Sequence, residues 1–151
     1  MEKKHDMGKG TFTYQLRGAF RAYEIALGRF LQAFDLPLSH FYVLRIFWEK
    51  SGHTQKYISD QAFMSESVLS QVLKKMIDRE LVTRLTQDLN FTQARKIILT
   101  PKGEKLRHEL LEGHELLLQS FLELENEDEI KQVIEILSSV GERLRQLNQQ
   151  K

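Results

Sequence analysis

Two short apolar segments joined by a tight turn constrain the fold of this chain more than any other feature. The first covers about residues 55–62, and the second begins after Ser65, whose hydroxyl suits the N-cap of a helix. Residues 63–64 leave room for a tight turn between them, so the pattern predicts a helix-turn-helix. The apolar residues of the second segment recur at helical spacing, which predicts that they form its inner side; they are Val68, Leu69, Val72, Leu73, Met76 and Ile77.

The next segment changes from a helical to an alternating pattern. Residues 82–86 alternate in polarity, residues 96–99 are typical of a returning strand, and the stretch 87–93 between them is polar. Two strands joined by a polar loop directly after a helix-turn-helix predict a β-hairpin wing. Thr100 as an N-cap and Pro101 at the first helical position then mark the start of a new helix.

The rest of the chain has helical periodicity. A long amphipathic helix is predicted over about 12–34, and Pro37 opens a second helix that ends near Ser51. Two further helices follow the wing, the second of which starts at Asn126. Its apolar residues are spaced alternately by three and four, as in a coiled coil, and such a stripe needs a partner. They are Ile130, Val133, Leu137, Val140, Leu144 and Leu147.

Composition excludes several classes of protein. The 151 residues include no cysteine, which removes disulfides, thiolate metal sites and a cysteine nucleophile. No apolar run approaches the roughly 20 residues of a spanning helix, so we expect a soluble, cytoplasmic protein. The formal net charge of +1 hides an asymmetry: residues 51–105 carry nine basic and six acidic side chains, whereas residues 106–151 carry five and ten. The basic middle would suit a polyanion.

Three strings occur in the order and spacing of a known family. Leu-Val-Thr-Arg at 81–84 follows the second helix of the pair, and Ile-Ile-Leu-Thr-Pro-Lys-Gly at 97–103 follows the wing. Residues 65–76 carry serines at the small-polar positions of a recognition helix. On these strings the chain resembles the MarR family of winged helix-turn-helix transcriptional regulators, from about residue 12 to residue 147.

The resemblance implies a homodimer bound to a near-palindromic site in double-stranded DNA. Each recognition helix would enter a major groove, and each wing would reach an adjacent minor groove. The expected fold is mainly α with a small β-hairpin wing. It combines a flexible tail (1–11), a dimerisation helix (12–36), a winged helix-turn-helix DNA-binding domain (37–100) and C-terminal dimerisation helices (101–151).

The chain departs from the family pattern at four positions. Glu80 stands where the family usually has a glycine that ends the recognition helix, and Gln71 occupies a position that is often arginine. Phe91 and Gln93 stand where the wing tip usually has an acidic residue and an arginine. Because that arginine is the usual minor-groove probe, we expect weaker or differently distributed wing contacts.

Side chains suited to DNA contact lie on the predicted recognition helix and wing. Serine hydroxyls can donate to phosphates or base edges, a glutamine can bind adenine bidentately, and lysines attract phosphate. The alternatives are a solvated helix face and, on the wing, cations that protect an edge strand from aggregation. In the winged context we favour DNA contact. The candidates are Ser65, Ser67, Ser70, Gln71, Lys74, Lys75, Arg84, Gln93, Arg95 and Lys96.

A second candidate site follows from the position of the family's effector cleft, where the first two helices meet the winged half. Tyr23, Phe30, His40 and Phe41 could line a pocket there for a small aromatic acid. Aromatic residues at helical spacing are more often part of the core, and core packing is the favoured alternative. The pocket is therefore a hypothesis that needs a structure.

Nothing in the sequence indicates catalysis. It lacks a nucleophile elbow, an HExxH motif and a glycine-rich dinucleotide fingerprint. His108 and His114 are six residues apart and lie on different sides of a helix, so they cannot share a metal ion. His108 with Glu112 has helical spacing, but two ligands are a weak indication of zinc. We predict no enzyme, no cofactor and no metal.

The predicted function is a homodimeric, sequence-specific DNA-binding transcriptional regulator, a repressor modulated by a small ligand. The alternative is a winged-helix protein-interaction module that has lost specific DNA binding, with Phe91 as an anchor for a protein partner. A third hypothesis is a helical dimer that binds or converts a small molecule in the cleft near His40.

Overall fold

A computed structural model describes residues 10–47, 52–85, 96–122 and 126–149. The chain divides into two compact units, with the boundary between His114 and Glu115. The elements are α1 (Phe12–Gln32), α2 (Leu38–Ile46), β1 (His53–Thr54), α3 (Gln55–Ala62), α4 (Glu66–Asp78), β2 (Val82–Arg84), β3 (Lys96–Leu99), α5 (Pro101–Leu122) and α6 (Glu127–Gln149).

Side-chain caps begin α4 and α5 where the sequence predicts them. The Ser65 hydroxyl accepts a hydrogen bond from the Val68 amide, which starts α4. Thr100 accepts from the Gly103 amide at 3.0 Å, and α5 starts at Pro101. Each cap satisfies one of the amides that a helix start leaves without an intrahelical partner. The predicted starts of α4 and α5 are confirmed.

The sheet has three antiparallel strands in the order β1-β3-β2. Val82 pairs with Leu99 and Arg84 with Ile97, so the two strands of the predicted hairpin are confirmed. Strand β1, in which His53 pairs with Ile97, is not predicted by the sequence pattern. A two-residue strand is too short to show alternation, and its formation depends on the distant β3.

The core of the first unit is formed by buried side chains from α1 to α5 and from β2 and β3. Helix α4 contacts α2, α3 and β2, and α3 contacts α2. The residues of α4 that face this core are spaced by three or four and are Leu69, Val72, Leu73 and Met76, all buried. The prediction that Val68 lies on the same inner side is wrong, since this side chain is 48% exposed. Because one side of α4 is used for packing, its opposite side is left for solvent or a ligand.

Helix α2 ends earlier than predicted. It stops at Ile46 rather than near Ser51. The Arg107 Nη1 of α5 donates to the Phe47 carbonyl at 2.6 Å, so an arginine satisfies one of the carbonyls at the end of the helix.

Three described non-glycine residues adopt left-handed backbone conformations: Asp35 (φ 47°) lies in the turn after α1, and the other two end helices. Phe63, after α3, has φ 53°, and Glu80, after α4, has φ 59°. A β-carbon disfavours this conformation, which explains why glycine is usual at the second position in the resembled family. Contacts hold Glu80 in place: Thr100 Oγ1 donates to its carbonyl, and Lys102 lies 3.7 Å from its carboxylate.

Gly103 marks the closest approach between α5 and the start of β2. A β-carbon at this position would lie 1.9 Å from the Leu81 carbonyl oxygen. That oxygen also accepts a hydrogen bond from the Thr100 amide at 3.1 Å. Since the obstructing atom belongs to the backbone, only glycine fits here.

The second unit includes α6, a helix with many exposed apolar side chains. Among the residues of α6 whose side chains are described, none is buried. Its large apolar residues that are exposed are Val133, Ile134, Ile136, Leu137, Leu144 and Leu147.

Within the described ranges, no helix combines the length and the apolarity that crossing a bilayer requires.

Candidate nucleic-acid interface

The outer face of α4 is a continuous polar stripe. Ser67, Ser70, Gln71 and Lys74 are all exposed, and their spacing of three and four places them side by side along the helix. Ser65 and Lys75, also exposed, lie at the start and near the end of the same helix. The structure thus brings the six candidates of α4 onto the solvent side of one helix, opposite its buried face.

The first candidate serine has a structural role as well. Ser65 Oγ accepts from the Val68 amide at 3.4 Å and lies 3.1 Å from Ser67 Oγ. Glu66, between the two serines, adds a negative charge in the first turn of the helix. The hydroxyl pair therefore fixes the start of the helix, and the second serine extends the polar stripe from there.

A residue of α3 positions a third serine. Gln55 Nε2 donates to Ser70 Oγ at 2.7 Å, so Gln55 belongs to the same polar surface. Sequence reasoning missed it because the two residues are fifteen positions apart and no local pattern relates them. The bond orients the serine hydroxyl and joins the two helices of the helix-turn-helix at their outer side.

The turn between α3 and α4 is held by two hydrogen bonds. Ser59 Oγ donates to the Met64 carbonyl at 2.7 Å, and the Met64 amide donates to the Ser59 carbonyl at 3.1 Å. The side chain of Phe63, in the same turn, is 79% exposed. Phe63 therefore has a strained backbone and an exposed apolar ring, and it lies directly before the start of α4.

Two of the wing candidates lie on the strands. Arg84 ends β2 and Lys96 begins β3, and both are exposed. Lys96 pairs with Thr54 of β1 in the sheet register. Gln93 and Arg95, together with Phe91, lie outside the described residues.

A cavity of about 200 Å³ adjoins one side of α4. It is lined by Ser39 and His40 at the start of α2 and by Gln71 and Lys75 of α4. Burial lowers the pKa of His40 below its usual value of 6.5, and the charges of Arg79 and Lys75 lower it further. Burial and the two nearby cations all disfavour the charged imidazole, so His40 is neutral at physiological pH.

The four residues predicted to line an effector pocket lie in three different places rather than around one cavity. Tyr23 Oη lies 3.1 Å from His114 Nε2, and the ring of Phe41 lies 5.1 Å from the His114 ring. Phe30 instead packs against Phe34, with ring centroids 5.3 Å apart, while His40 lines the cavity beside α4.

His114 is the residue of this region that sequence reasoning missed. It is 5% exposed and belongs to α5, ninety-one residues from its hydrogen-bond partner Tyr23. Burial raises the pKa of Tyr23, against the opposing effect of Arg45. The tyrosine is therefore a neutral hydroxyl that can donate to or accept from a ligand or a side chain.

A second tyrosine completes this polar region. The Tyr42 hydroxyl is buried and has no hydrogen-bond partner within the described part of the chain. Burial raises the pKa of Tyr42, as do Tyr23 and Glu24 nearby, whereas Arg45 lowers it. A buried hydroxyl without a partner costs about 1–3 kcal/mol, which a ligand or an ordered water would recover.

The described residues contain no cluster of three or more histidine, aspartate or glutamate side chains that could hold a metal ion. His108 Nε2 lies 3.5 Å from Glu112 Oε1, with both side chains exposed. The pair thus lacks a third protein ligand among these residues.

The arrangement is a winged helix fold in which α4 has an exposed polar face, and solved structures share this fold. A MarR family transcriptional regulator from Silicibacter pomeroyi superposes with a TM-score of 0.77 at 20% identity, covering 88% of each chain. The MepR–DNA complex of S. aureus superposes at 0.77 and 21% identity, covering 89% of this chain and 96% of that one. Staphylococcus aureus MarR in complex with salicylate and kanamycin superposes at 0.76 and 20% identity, covering 89% and 91%.

The chain therefore has the fold of the MarR family regulators, and the resemblance seen in the sequence is confirmed at the level of the fold. No protein-family model matches the sequence, and no curated protein matches it.

Proposed function

We propose that this protein is a homodimeric, sequence-specific DNA-binding transcriptional regulator. The observation that carries the proposal is the exposed stripe of Ser67, Ser70, Gln71 and Lys74 on a helix whose other side is fixed in the core. A helix of this kind fits the major groove, where serine and glutamine side chains can bond base edges. The S. aureus MepR structure is itself a DNA complex, which supports the same use of this fold.

Dimerisation is proposed from the apolar surface of the terminal helices. Helix α6 exposes six large apolar side chains, and α1 exposes Phe12, Leu16 and Phe20. Apolar surface exposed on this scale marks an interface in soluble proteins. A twofold dimer would hold two copies of α4, and reading successive major grooves requires them about 34–36 Å apart.

We further propose that the regulator is a repressor whose DNA binding a small ligand weakens. Support comes from the polar region in which Tyr23 bonds His114 and Tyr42 is buried without a partner in the described residues. Aromatic rings next to neutral hydroxyls suit a small aromatic acid. The solved S. aureus MarR complex contains salicylate, so salicylate is the probe of choice.

The DNA-binding proposal is tested by selection from random duplexes, followed by affinity measurements on the selected site. We expect a near-palindromic site and affinity that falls as the salt concentration rises, because phosphate contacts release counterions. Gln71→Ala should weaken binding to the selected site by about 1–3 kcal/mol and relax the base preference at one position of that site. Gln119→Ala, at an exposed glutamine of α5, is the matched control and should change neither.

Two outcomes would contradict the proposal. Absence of any sequence preference would exclude specific recognition, and insensitivity of the affinity to salt would exclude phosphate contact. If the wild-type chain binds no duplex, and Gln71→Ala leaves its binding to a protein partner intact, the chain is instead a protein-interaction module.

The ligand proposal has its own test. Salicylate should weaken binding to the selected site, and Tyr23→Phe should reduce that effect because it removes the hydroxyl that bonds His114. Equal inhibition of the wild type and the variant would exclude this region as the ligand site.

A further inference from the structure

The hydrogen bond between Gln55 and Ser70 has a direction that matters for the outer face of α4. Gln55 Nε2 donates to Ser70 Oγ at 2.7 Å, so the amide supplies the hydrogen and the serine oxygen accepts it. A serine hydroxyl has one hydrogen and two acceptor lone pairs. Because the amide occupies one lone pair, the hydroxyl hydrogen cannot point toward Gln55 and is directed away from it.

Within the described residues, no group of the chain takes up that hydrogen. Serines inside helices can donate to the carbonyl four residues earlier, which for Ser70 belongs to Glu66. The Ser70 side chain makes no hydrogen bond in the described part of the chain other than the one from Gln55. Since the side chain is exposed, its hydrogen remains available to an acceptor outside the protein.

The sheet and a helix cap hold Gln55 in place. Gln55 is the first residue of α3, and Thr54 before it accepts from the Tyr57 amide at 3.2 Å. Thr54 also pairs with Lys96 of β3, so the backbone that leads into α3 belongs to a strand. A partly buried glutamine on a fixed backbone loses less conformational freedom in keeping its bond than one on a mobile loop would.

Ser70 lies in the part of α4 that suits contact with bases. It belongs to the N-terminal half of the helix and to the exposed stripe, between Ser67 and Lys74. In a helix-turn-helix, the N-terminal residues of the second helix contact base edges, whereas the first helix crosses the backbone. Purine N7, guanine O6 and thymine O4 are acceptors in the major groove, whereas the amino groups of adenine and cytosine are donors. A serine held as a donor distinguishes these groups better than a freely rotating hydroxyl does.

We propose that Gln55 is a positioning residue for base recognition, which holds Ser70 as a hydrogen-bond donor to an acceptor atom on a base edge. The inference rests on the proposed function, because the base belongs to the duplex that α4 would contact. It adds a direction of hydrogen bonding to that function. It also gives α3 a part in base preference, although Gln55 acts through Ser70.

The first test is a double-mutant cycle on the site that the wild-type chain selects. Gln55→Ala should weaken binding about threefold to tenfold and relax the base preference at one position, and Ser70→Ala should relax the same position. When Ser70→Ala is already present, Gln55→Ala should change the affinity less than about twofold, because the hydroxyl that it orients is gone. Gln61→Ala, at an exposed glutamine of the same helix, is the control and should change neither affinity nor preference.

A second test reverses the direction of the bond. The carboxylate introduced by Gln55→Glu accepts hydrogen bonds and cannot donate them, so it takes the Ser70 hydrogen away from the base. The base preference at that position should therefore be lost. The added negative charge also weakens binding to every duplex. Gln61→Glu adds the same charge to the same helix, and it should leave the base preference intact.

The bond itself is tested by NMR of the full-length chain without DNA. Ser70→Ala should shift the resonances of the Gln55 side-chain amide, because it removes the acceptor. Ser67→Ala is the control and should leave them unchanged, since the Ser67 hydroxyl lies 3.1 Å from Ser65 Oγ instead.

Three results would each overturn the proposal: an equal effect of Gln55→Ala with and without the Ser70 hydroxyl, an equal weakening of all duplexes by Gln55→Ala, or an unchanged base preference in Gln55→Glu. Each of them is measured on a site that the wild type does select, so it contradicts the positioning role while the proposed function stands. Failure of the proposed function shows differently, as the absence of any selected site, and it would overturn the positioning role as well.

Discussion

Helices α4 and α6 have equally regular apolar stripes, but they differ in what covers those stripes. In α4, Leu69, Val72, Leu73 and Met76 are buried against the rest of the first unit. In α6, no described side chain is buried. An amphipathic pattern therefore shows that a helix has a face to bury, whereas only the structure shows whether its own chain can bury it.

The difference assigns the two helices different tasks. Because packing uses the apolar side of α4, its polar side is presented in a fixed orientation and can recognise a ligand. In α6 the apolar side itself is exposed, and it is the surface through which we propose that the chain dimerises. The comparison predicts that equal truncations in the two helices will affect different properties.

The largest expected effect is on stability, from truncation of α4. Leu73→Ala should lower the free energy of unfolding by about 3 kcal/mol, because it leaves a cavity at a residue that is fully buried. Denaturation by urea measures the loss. A loss below about 1 kcal/mol would show that the core around α4 collapses onto the vacated space.

The next effect is on association, from the matched truncation in α6. Leu144→Ala should raise the dimer dissociation constant about tenfold, equivalent to about 1.4 kcal/mol, with little effect on the stability of the diluted chain. Analytical ultracentrifugation measures the dissociation constant. Gln146→Ala, at an exposed position of the same helix, is the control and should leave it unchanged. If Leu144→Ala destabilised the diluted chain as much as Leu73→Ala does, α6 would be packed within its own chain.

A smaller gain in stability is expected where α4 ends. Glu80→Gly should raise the free energy of unfolding by about 0.5–1 kcal/mol, since glycine adopts the φ of 59° without strain. Glu80→Gly also removes the ion pair with Lys102, but an exposed pair contributes little to stability, so its loss should lower the free energy of unfolding only slightly. Thermal denaturation checks this, with Glu127→Gly at the start of α6, where no left-handed residue is needed, as the contrast. A loss of stability in Glu80→Gly would indicate that the carboxylate is required.

The smallest expected effect is a pH dependence of the first unit. Well above pH 6.5, His40 is neutral in both the folded and the unfolded chain. As the pH falls, His40 gains a proton more readily in the unfolded chain, because burial lowers its pKa in the folded chain. The free energy of unfolding is therefore unaffected by His40 above about pH 6.5, and it decreases as the pH falls from there toward the pKa of His40 in the folded chain. His40→Gln should flatten this decrease in urea denaturation, whereas His108→Gln, at an exposed histidine, controls for loss of an imidazole. An unchanged slope in His40→Gln would contradict the assignment.

Local signals made most of the fold predictable. The capping hydroxyls of Ser65 and Thr100, the proline after Thr100 and the alternation in residues 82–86 act over a few residues. The structure has a helix start at each cap and a strand, β2, at residues 82–84. The exposed stripe of α4 also followed from helical spacing.

The rest depends on contacts between distant parts of the chain. The pairing of β1 with β3, the bond from Gln55 to Ser70 and the bond between Tyr23 and His114 join residues that no local pattern relates. The same holds for the cavity at His40, since its walls come from two helices. These contacts determine the detail of the candidate sites, and for this reason the sequence predicts where the sites lie better than it predicts their composition.

The contact of Gly103 with the Leu81 carbonyl also has an evolutionary consequence. At Gly18 and Gly28, in the middle of α1, a β-carbon would meet no described atom of another element within 4 Å, whereas a β-carbon at Gly103 would meet the backbone at the start of β2. Random mutagenesis under selection for folding should thus accept many residues at the two α1 positions and none but glycine at 103. Among diverged copies of this protein, position 103 should remain constant long after the rest of α5 has changed, and it is the natural anchor for aligning them.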